Sequence, residues 1–421
     1  MAKKPKEITN IFNKIAGAGY DVYCAGECVA ATELGQEPLD WDLYTTCPQD
    51  KIRELFPEGE PLGKRTTRLD YSTFVESDDL NIPDRYDGIV ADVVTLEGSM
   101  EDQLRVYDFT CEAIADHPNK ATVDPYSGLS DILRRLLQPV GDANDKFKAN
   151  PILMMKALRY VGLYGFDISR DMYNAIKRNG ALLKDADKEE ILYEFSTAIN
   201  GDYAGKYLKM LKGLDLLPQL VGEEGMVTDR RDKNDYDTLC NNIDRIKHIT
   251  LRRLGLFYLC FDQHYYKAIE YLPHDELDME YLHDAKKELP KLYFCGDDKS
   301  LKKFICRHGW EKYNFFDKLA KAQVIVFGLS DHRITGRDAV LKEVLEQHQP
   351  IFVEDLKIDA DDIIEAGITD DRERAEELLY MLTDIVHTKV SNNDRDILLK
   401  RARAFNKSKF KAAFRDVTWL R

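Results

Sequence analysis

The fold of this chain is decided by residues 20–45, YDVYCAGECVAATELGQEPLDWDLYT. Residues 20–25 predict a buried strand, Gly26 predicts a turn, and residues 28–34 predict a helix. A turn with a glycine that opens a helix can hold phosphate on free backbone N–H groups. We therefore expect an anion-binding turn at Gly26.

Two aspartates mark the strand that follows. Asp40 and Asp42 lie one residue apart, so in a strand their side chains share one face and Trp41 points the other way, into a core. Two convergent carboxylates are ligands that Mg²⁺ accepts alongside substrate phosphates, and they suit two-metal phosphoryl or nucleotidyl transfer. A solvated loop with two acids has the same pattern, so the surrounding motifs must decide.

Composition limits the class of protein. The chain has 421 residues, enough for several domains, and its net charge of -15 argues against a surface that is basic overall. Its eight cysteines form no paired CxxC set, and no signal peptide is recognisable, so neither a zinc site nor disulfides are expected. No apolar run approaches the roughly 20 residues that span a membrane. We expect a reduced, soluble, cytoplasmic protein.

Residues 20–45 resemble the opening of the class II tRNA nucleotidyltransferases (CCA-adding enzymes) and bacterial poly(A) polymerases. The residues that match this family at its spacing are Tyr20, Val22, Tyr23, Gly26, Val29, Leu34, Gly35, Pro38, Asp40, Asp42, Leu43 and Thr45. Similar segments follow at 91–95, 107–113, 124–128, 136–141, 153–166 and 356–368. The resemblance covers most of the chain and is strongest over 20–45 and 105–166.

The resemblance implies an α+β fold. A polymerase-β-type nucleotidyltransferase head with a small mixed sheet should be followed by an all-α neck, body and tail. The expected bounds are 1–135 for the head, 136–205 for the neck, 206–330 for the body and 331–421 for the tail.

The resemblance also implies template-independent addition of nucleotides to the 3′ end of tRNA or another RNA. Two Mg²⁺ ions on Asp40 and Asp42 are expected to activate the 3′-hydroxyl for attack on the α-phosphate of a nucleoside triphosphate, CTP or ATP. Asp92 is a candidate third catalytic carboxylate, or a neighbour that orients the pair. The nucleotide-binding candidates are Gly26, Arg105, Asp108, Asn150 and Arg159.

The C-terminal segment is a candidate RNA-binding end. Residues 400–421 hold eight basic residues and one acid in an otherwise acidic chain, which indicates a phosphate-facing surface or a solvated basic helix end. The candidate RNA contacts are Lys400, Arg401, Arg403, Lys407, Lys409 and Lys411.

The chain departs from the family where the nucleotide would bind. The departures are Glu27, Ala30, Val106, Tyr107, Ala149 and Leu153. Glu27 replaces the second glycine of the phosphate turn, where a carboxylate would repel a triphosphate. Ala149 and Leu153 replace groups that read the base edge by hydrogen bonds, which they cannot do.

Three functions therefore remain open. The chain is a nucleotidyltransferase with altered nucleotide recognition, a catalytically impaired relative that binds tRNA or other RNA, or an enzyme that transfers nucleotides to a non-RNA acceptor.

Overall fold

A mixed six-stranded sheet forms the framework of the N-terminal part of the chain. The computed structural model describes residues 4–38, 40–75, 85–223, 230–246, 250–261 and 264–407. The elements of this first part are α1 (Lys6–Gly17), β1 (Val22–Ala25), α2 (Glu27–Glu33), β2 (Trp41–Thr45), α3 (Gln49–Leu55), β3 (Glu60–Leu62), β4 (Thr66–Asp70), β5 (Thr73–Val75), β6 (Arg85–Asp87), β7 (Val90–Thr95), α4 (Met100–Leu104), β8 (Ala115–Asp116) and α5 (Gly128–Arg134).

The strand order of the sheet is β3-β4-β7-β2-β1-β8. β2 runs parallel to β7, and the other neighbouring pairs of this sheet are antiparallel. Trp41 and Leu43 are buried on the face of β2 that is turned away from Asp42, as the alternation of the strand requires. The predicted α+β class with a small mixed sheet is confirmed.

The chain continues almost entirely as helix. The following elements are β9 (Leu136–Leu137), α6 (Ala143–Ala149), α7 (Leu153–Tyr164), β10 (Asp167–Ile168), α8 (Arg170–Asn179), α9 (Lys188–Ile199), α10 (Ala204–Gly213), α11 (Pro218–Val221), α12 (Arg230–Asn242), α13 (Thr250–Leu259) and α14 (Tyr265–Ile269). β9 and β10 form a short parallel pair. α7 packs against both α9 and α10.

Glycines allow the backbone of α7 to contact the backbone at the end of α9. A Cβ atom on Gly162 would lie 2.4 Å from the carbonyl oxygen of Ala198, and one on Gly201 would lie 2.1 Å from that of Gly162. Arg253 binds the backbone next to this contact. Its fully buried guanidinium donates to the backbone carbonyls of Ile199, Gly201 and Ile246, and backbone carbonyls at helix ends and turns need such partners.

The chain divides into two compact units, residues 1–275 and 276–421. The elements of the second unit are α15 (Glu276–Leu292), α16 (Asp298–Phe327), α17 (His332–Glu346), α18 (Ala360–Glu365), α19 (Arg372–Thr388) and α20 (Arg395–Lys407). α16 is kinked at Gly309, and α18, α19 and α20 share an apolar core. The boundary at 275/276 falls inside the predicted body, so the four-part division remains a prediction.

Two further features concern the whole set of described residues. None of the helices within the described ranges is long and apolar enough to cross a bilayer. All eight cysteines lie in the described part of the chain, where each is buried and carries a reduced thiol.

Candidate active site

A row of charged side chains crosses the middle of the sheet. In the strand register Asp42 of β2 is aligned with Asp92 of β7, and Asp92 is aligned with Arg68 of β4. Aligned residues on neighbouring strands project from the same face, so the three side chains lie side by side. The sequence pattern did not reveal Arg68, because its partner follows 24 positions later and only the strand register brings the two together.

Arg68 holds Asp92 with a bidentate ion pair. Its Nε donates to Oδ1 and its Nη2 to Oδ2 of Asp92, both at 2.8 Å. Such fork-on-fork pairing fixes the carboxylate in one orientation. The arrangement suits the role of an orienting neighbour for Asp92, since both carboxylate oxygens already accept from Arg68.

Asp40 and Asp42 lie where negative charge accumulates. The pKa of Asp42 is raised to about 7, first because the side chain is largely removed from water and then because Asp40, Asp92 and Glu112 repel its negative form. The pKa of Asp40 is also raised, by desolvation and by Glu27 and Asp92. The Asp40 side chain keeps solvent access, yet the surrounding protein atoms still remove part of its hydration.

The pair suits a divalent cation in its chemistry. In the described ranges no set of three or more His, Cys, Asp or Glu side chains forms a complete metal site. Mg²⁺ is commonly held by only one or two carboxylates and takes its remaining ligands from water and substrate phosphates. A cation bound by Asp40 and Asp42 would offset both the loss of hydration and the repulsion by neighbouring carboxylates, which together raise the two pKa values, so these residues fit the expected ion.

Gly26 brings the turn into contact with this pair. Its φ of +86° and the lack of a side chain allow a close approach, because a Cβ atom there would lie 2.8 Å from Oδ2 of Asp42 and 3.1 Å from the hydroxyl of Tyr107. The Gly26 N–H donates to the carbonyl of Glu112 at 3.1 Å. The expected anion-binding turn therefore uses the N–H group of Gly26 internally.

The next residue, Glu27, is bound by the neck helix α7. Arg159 donates from Nη1 to Oε1 of Glu27 at 2.8 Å and from Nε to Glu194 of α9 at 2.7 Å. The hydroxyl of Tyr164 donates to the same Oε1 at 2.8 Å. That Arg159 contacts the nucleotide stays a prediction; its side chain is 7% exposed, and its guanidinium pairs with two carboxylates of the chain.

A second cation of α7 binds the head in the same way. Lys156 contacts Asp108 at 3.3 Å and Glu112 at 2.9 Å, and Lys146 of α6 approaches Asp108 at 3.5 Å. The hydroxyl of Tyr160 donates to Glu112 at 2.7 Å. Burial alone lowers the pKa of Lys156, but Glu112 and Asp108 outweigh it and leave this pKa raised. Asp108 is thus anchored by two lysines.

The sequence of α7 carries a signal for these contacts. α7 reads LMMKALRYVGLY, an apolar helix whose two cations lie three residues apart and so on one face. Two cations on an otherwise buried helix require acidic partners, because an unpaired buried charge is costly.

The remaining nucleotide candidates lie at the surface. Arg105 follows α4 with an exposed side chain that pairs with Asp102 at 3.3 Å. Asn150 is exposed and ends α6. Tyr107, which stands where the family has an arginine, is half-buried and donates to the hydroxyl of Tyr44 at 3.1 Å.

The RNA candidates of the tail belong to α20. Lys400, Arg401, Arg403 and Lys407 are exposed, while the opposite side of the helix buries Leu398 and Ala402. Lys400, Arg403 and Lys407 follow helical spacing and form one basic face. Lys409 and Lys411 lie outside the described residues.

Comparisons with known proteins connect this architecture to a family. Residues 165–223 match the family described as "Probable RNA and SrmB- binding site of polymerase A". The curated CCA-adding enzyme of Geobacillus stearothermophilus is 29% identical over 231 residues, which make up 52% of this chain and 56% of that protein. The CCA-adding enzyme of Lactiplantibacillus plantarum is 30% identical over 224 residues, 52% of this chain and 55% of its own. This chain is similar in sequence to the CCA-adding enzymes over about half of its length.

Solved structures extend the likeness in fold to nearly the full length of this chain. The CCA-adding enzyme of Bacillus stearothermophilus in complex with CTP superposes with a TM-score of 0.75 at 20% identity, covering 96% of this chain and 100% of that one. The Thermotoga maritima enzyme complexed with tRNA gives 0.60 at 16% identity, with 96% of each chain covered. At such identities the likeness to these solved structures shows a shared fold. In the sequence comparison, the chain spans about half the length of the curated relatives that it matches.

Proposed function

We propose that this CCA-adding enzyme relative is a template-independent nucleotidyltransferase that extends the 3′ end of an RNA, with tRNA-like RNA and a nucleoside triphosphate as substrates. The proposal rests on the Asp40–Asp42 pair, which lies beside the Gly26 turn and next to Asp92. The substrates are inferred from relatives whose structures were solved with CTP and with tRNA.

In this proposal the side chains of the head have different roles. Asp40 and Asp42 would hold the divalent cation, which when bound supplies charge neutralisation and activation of the attacking hydroxyl. Asp92, which Arg68 holds through two hydrogen bonds, lies beside Asp42 and would orient the pair. Gly26 allows the Asp42 carboxylate to pack directly against the turn, because a side chain there would collide with Asp42 and Tyr107.

Recognition of the nucleotide must differ from that of the family. Arg105 is exposed at the end of α4 and is the candidate cation for the triphosphate, while Asn150 is exposed at the candidate base-reading position. Neither residue is held by several partners, so they select less strictly than a buried hydrogen-bonding pair would. We therefore propose nucleotide addition with altered base selectivity.

Labelled nucleotides test the proposal directly. The full chain is incubated with Mg²⁺, each labelled NTP and tRNA that lacks its 3′ end. We expect RNA-bound label that is lost when Asp40 and Asp42 are both changed to Asn. Asp50→Asn is the matched control, since Asp50 is a fully exposed aspartate of α3 outside the acidic cluster. Product formation by the double variant would contradict the proposed role of the pair.

A catalytically impaired RNA-binding relative is the second candidate. The observation that favours it is the commitment of Arg159 to Glu27 and Glu194, together with Val106 and Tyr107 at the family's arginine positions. Residues 165–223, which match the RNA-binding description, would then carry the function. Salt-dependent binding of tRNA with no product from any NTP supports this candidate. Label on protein or a small molecule, with RNA unchanged, would instead identify a non-RNA acceptor.

A further inference from the structure

We propose that Arg159 and Tyr164 form a binding site for a phosphate group, and that the carboxylate of Glu27 occupies this site in the resting protein. The site would receive the terminal phosphates of a nucleotide only when Glu27 leaves it. This deepens the proposed function, and its biological meaning rests on that function, although the site can be tested without any turnover.

The donor geometry around Glu27 is that of an anion site. Arg159 Nη1 and the hydroxyl of Tyr164 both reach the same oxygen, Oε1, at 2.8 Å. A guanidinium and a hydroxyl that converge on one oxygen are suited to phosphate as well as to carboxylate. Both donors come from the neck helix α7, whereas the carboxylate comes from the head.

Burial makes this contact strong. The side chains of Arg159 and Glu27 are only 7% and 13% exposed. In such surroundings an ion pair is screened little by solvent or salt. Glu194 binds the other side of the guanidinium from α9, so Arg159 would stay oriented and partly neutralised if Glu27 were removed.

Position links the site to the acid pair. Glu27 directly follows Gly26, whose turn touches the Asp42 carboxylate, and Glu27 contributes to the raised pKa of Asp40. The phosphates of a nucleotide whose α-phosphate lay at Asp40 and Asp42 would extend into this neighbourhood. Glu27 would then compete with them for Arg159 and Tyr164.

The competition is intramolecular and therefore severe. A group held on a short tether acts at an effective concentration of about 1 mM or more, so a free phosphate group of equal intrinsic affinity must exceed that concentration before it displaces Glu27. Glu27 thus raises the concentration of triphosphate that is needed for binding, which lowers the apparent affinity of the chain for a nucleotide.

Inorganic tripolyphosphate, in EDTA and without RNA, is the probe for this site. Its binding to the full chain is measured by titration calorimetry for wild type, Glu27→Gln and Glu27→Gly. We expect both variants to bind it about tenfold to hundredfold more tightly, because a negative charge within contact distance of the ligand is removed. If Glu27→Gly does not fold, Glu27→Gln decides, since its amide oxygen still accepts from Tyr164.

Two further variants separate the site from a general charge effect. Adding Arg159→Lys to Glu27→Gln should abolish the gain, because the planar fork of the guanidinium is lost. Glu194→Gln removes the other carboxylate partner of Arg159, on the side away from the Gly26 turn, and should give no comparable gain. No gain in the Glu27 variants, an equal gain in Glu194→Gln, or a gain that survives Arg159→Lys would each overturn the proposal.

The two proposals can fail separately. Binding of tripolyphosphate in EDTA needs neither Mg²⁺ nor turnover, so the anion site stands or falls whether or not the wild-type chain extends RNA. Conversely, turnover by the wild type that depends on Asp40 and Asp42 supports the proposed function even if Glu27→Gln binds no additional anion.

Discussion

Asp42 couples the charge of the site to the stability of the fold. Its pKa of about 7 in the folded chain lies above the ordinary value of 3.8, so between these pH values the folded chain holds a proton that the unfolded chain has released. The stabilising contribution is therefore complete below about pH 4 and is lost as the pH rises through about 7.

We expect Asp42→Asn to raise the melting temperature in EDTA by a few degrees at pH 8 and by clearly less at pH 5. The asparagine cannot ionise, so it removes the desolvation cost and the repulsion of the charged carboxylate, and both grow as the pH rises from about 4 to about 7. Differential scanning fluorimetry across this range measures the effect, and Asp50→Asn is the control. An equal change at both pH values would show that ionisation of Asp42 does not limit stability.

Gly26 is required by two constraints, its backbone conformation and its contact with Asp42. Gly26→Ala should lower the free energy of unfolding by roughly 1–3 kcal/mol, as is typical of strained backbone positions. Gly63→Ala is a matched control, because Gly63 also has a positive φ of 78° but no atom within 4 Å of a new Cβ. Urea denaturation should show the larger loss at Gly26. Equal losses would mean that the contact with Asp42 and Tyr107 is immaterial.

Helix α7 connects the neck to the head through buried ion pairs. Lys156→Met leaves Asp108 and Glu112 without their main cation, and we expect a loss of roughly 2–4 kcal/mol in the free energy of unfolding. Adding Glu112→Gln should recover much of that loss, because the uncompensated buried charge is removed with it. Denaturant titrations of the two single variants and the double variant measure the coupling. Lys148→Met, at an exposed lysine of α6, should be nearly neutral.

Some elements could be predicted from local pattern alone, and others could not. Short-range periodicity is enough to predict α1 and the elements within residues 20–45. In α1 the residues buried at helical spacing are Ile8, Ile11, Phe12 and Ile15. Strand register is a long-range property, so the alignment of Asp42 with Asp92 and Arg68 was not accessible from one sequence.

The partners of Arg159 are likewise a long-range feature that one sequence does not predict. Sequence position predicts a phosphate contact for Arg159, and the structure adds that its guanidinium pairs with Glu27 of α2 and Glu194 of α9. Glu27 was recognised as a departure from the family, and its charge was expected to repel phosphate. What only the structure adds is the cation that neutralises it.

The net charge of -15 means that any RNA contact must be local rather than general. We expect Lys400→Gln, Arg403→Gln and Lys407→Gln together to weaken RNA binding and to reduce the slope of log K against log salt by roughly 2–3. Filter binding over a range of NaCl concentrations measures this slope. Lys342→Gln, Lys357→Gln and Lys389→Gln, three exposed lysines of the same unit outside α20, form the matched control. An equal change in the control would exclude a specific role of α20.

The burial of all eight cysteines has a practical consequence for spectroscopy. Thiol reagents should leave the native chain unlabelled, so the natural sequence already serves as a cysteine-silent background. Val106, 69% exposed on the loop between α4 and Asp108, then offers a place for a single dye. Val106→Cys should react with one maleimide per chain, as mass spectrometry can count, and its fluorescence would report nucleotide and RNA arrival without rebuilding the core.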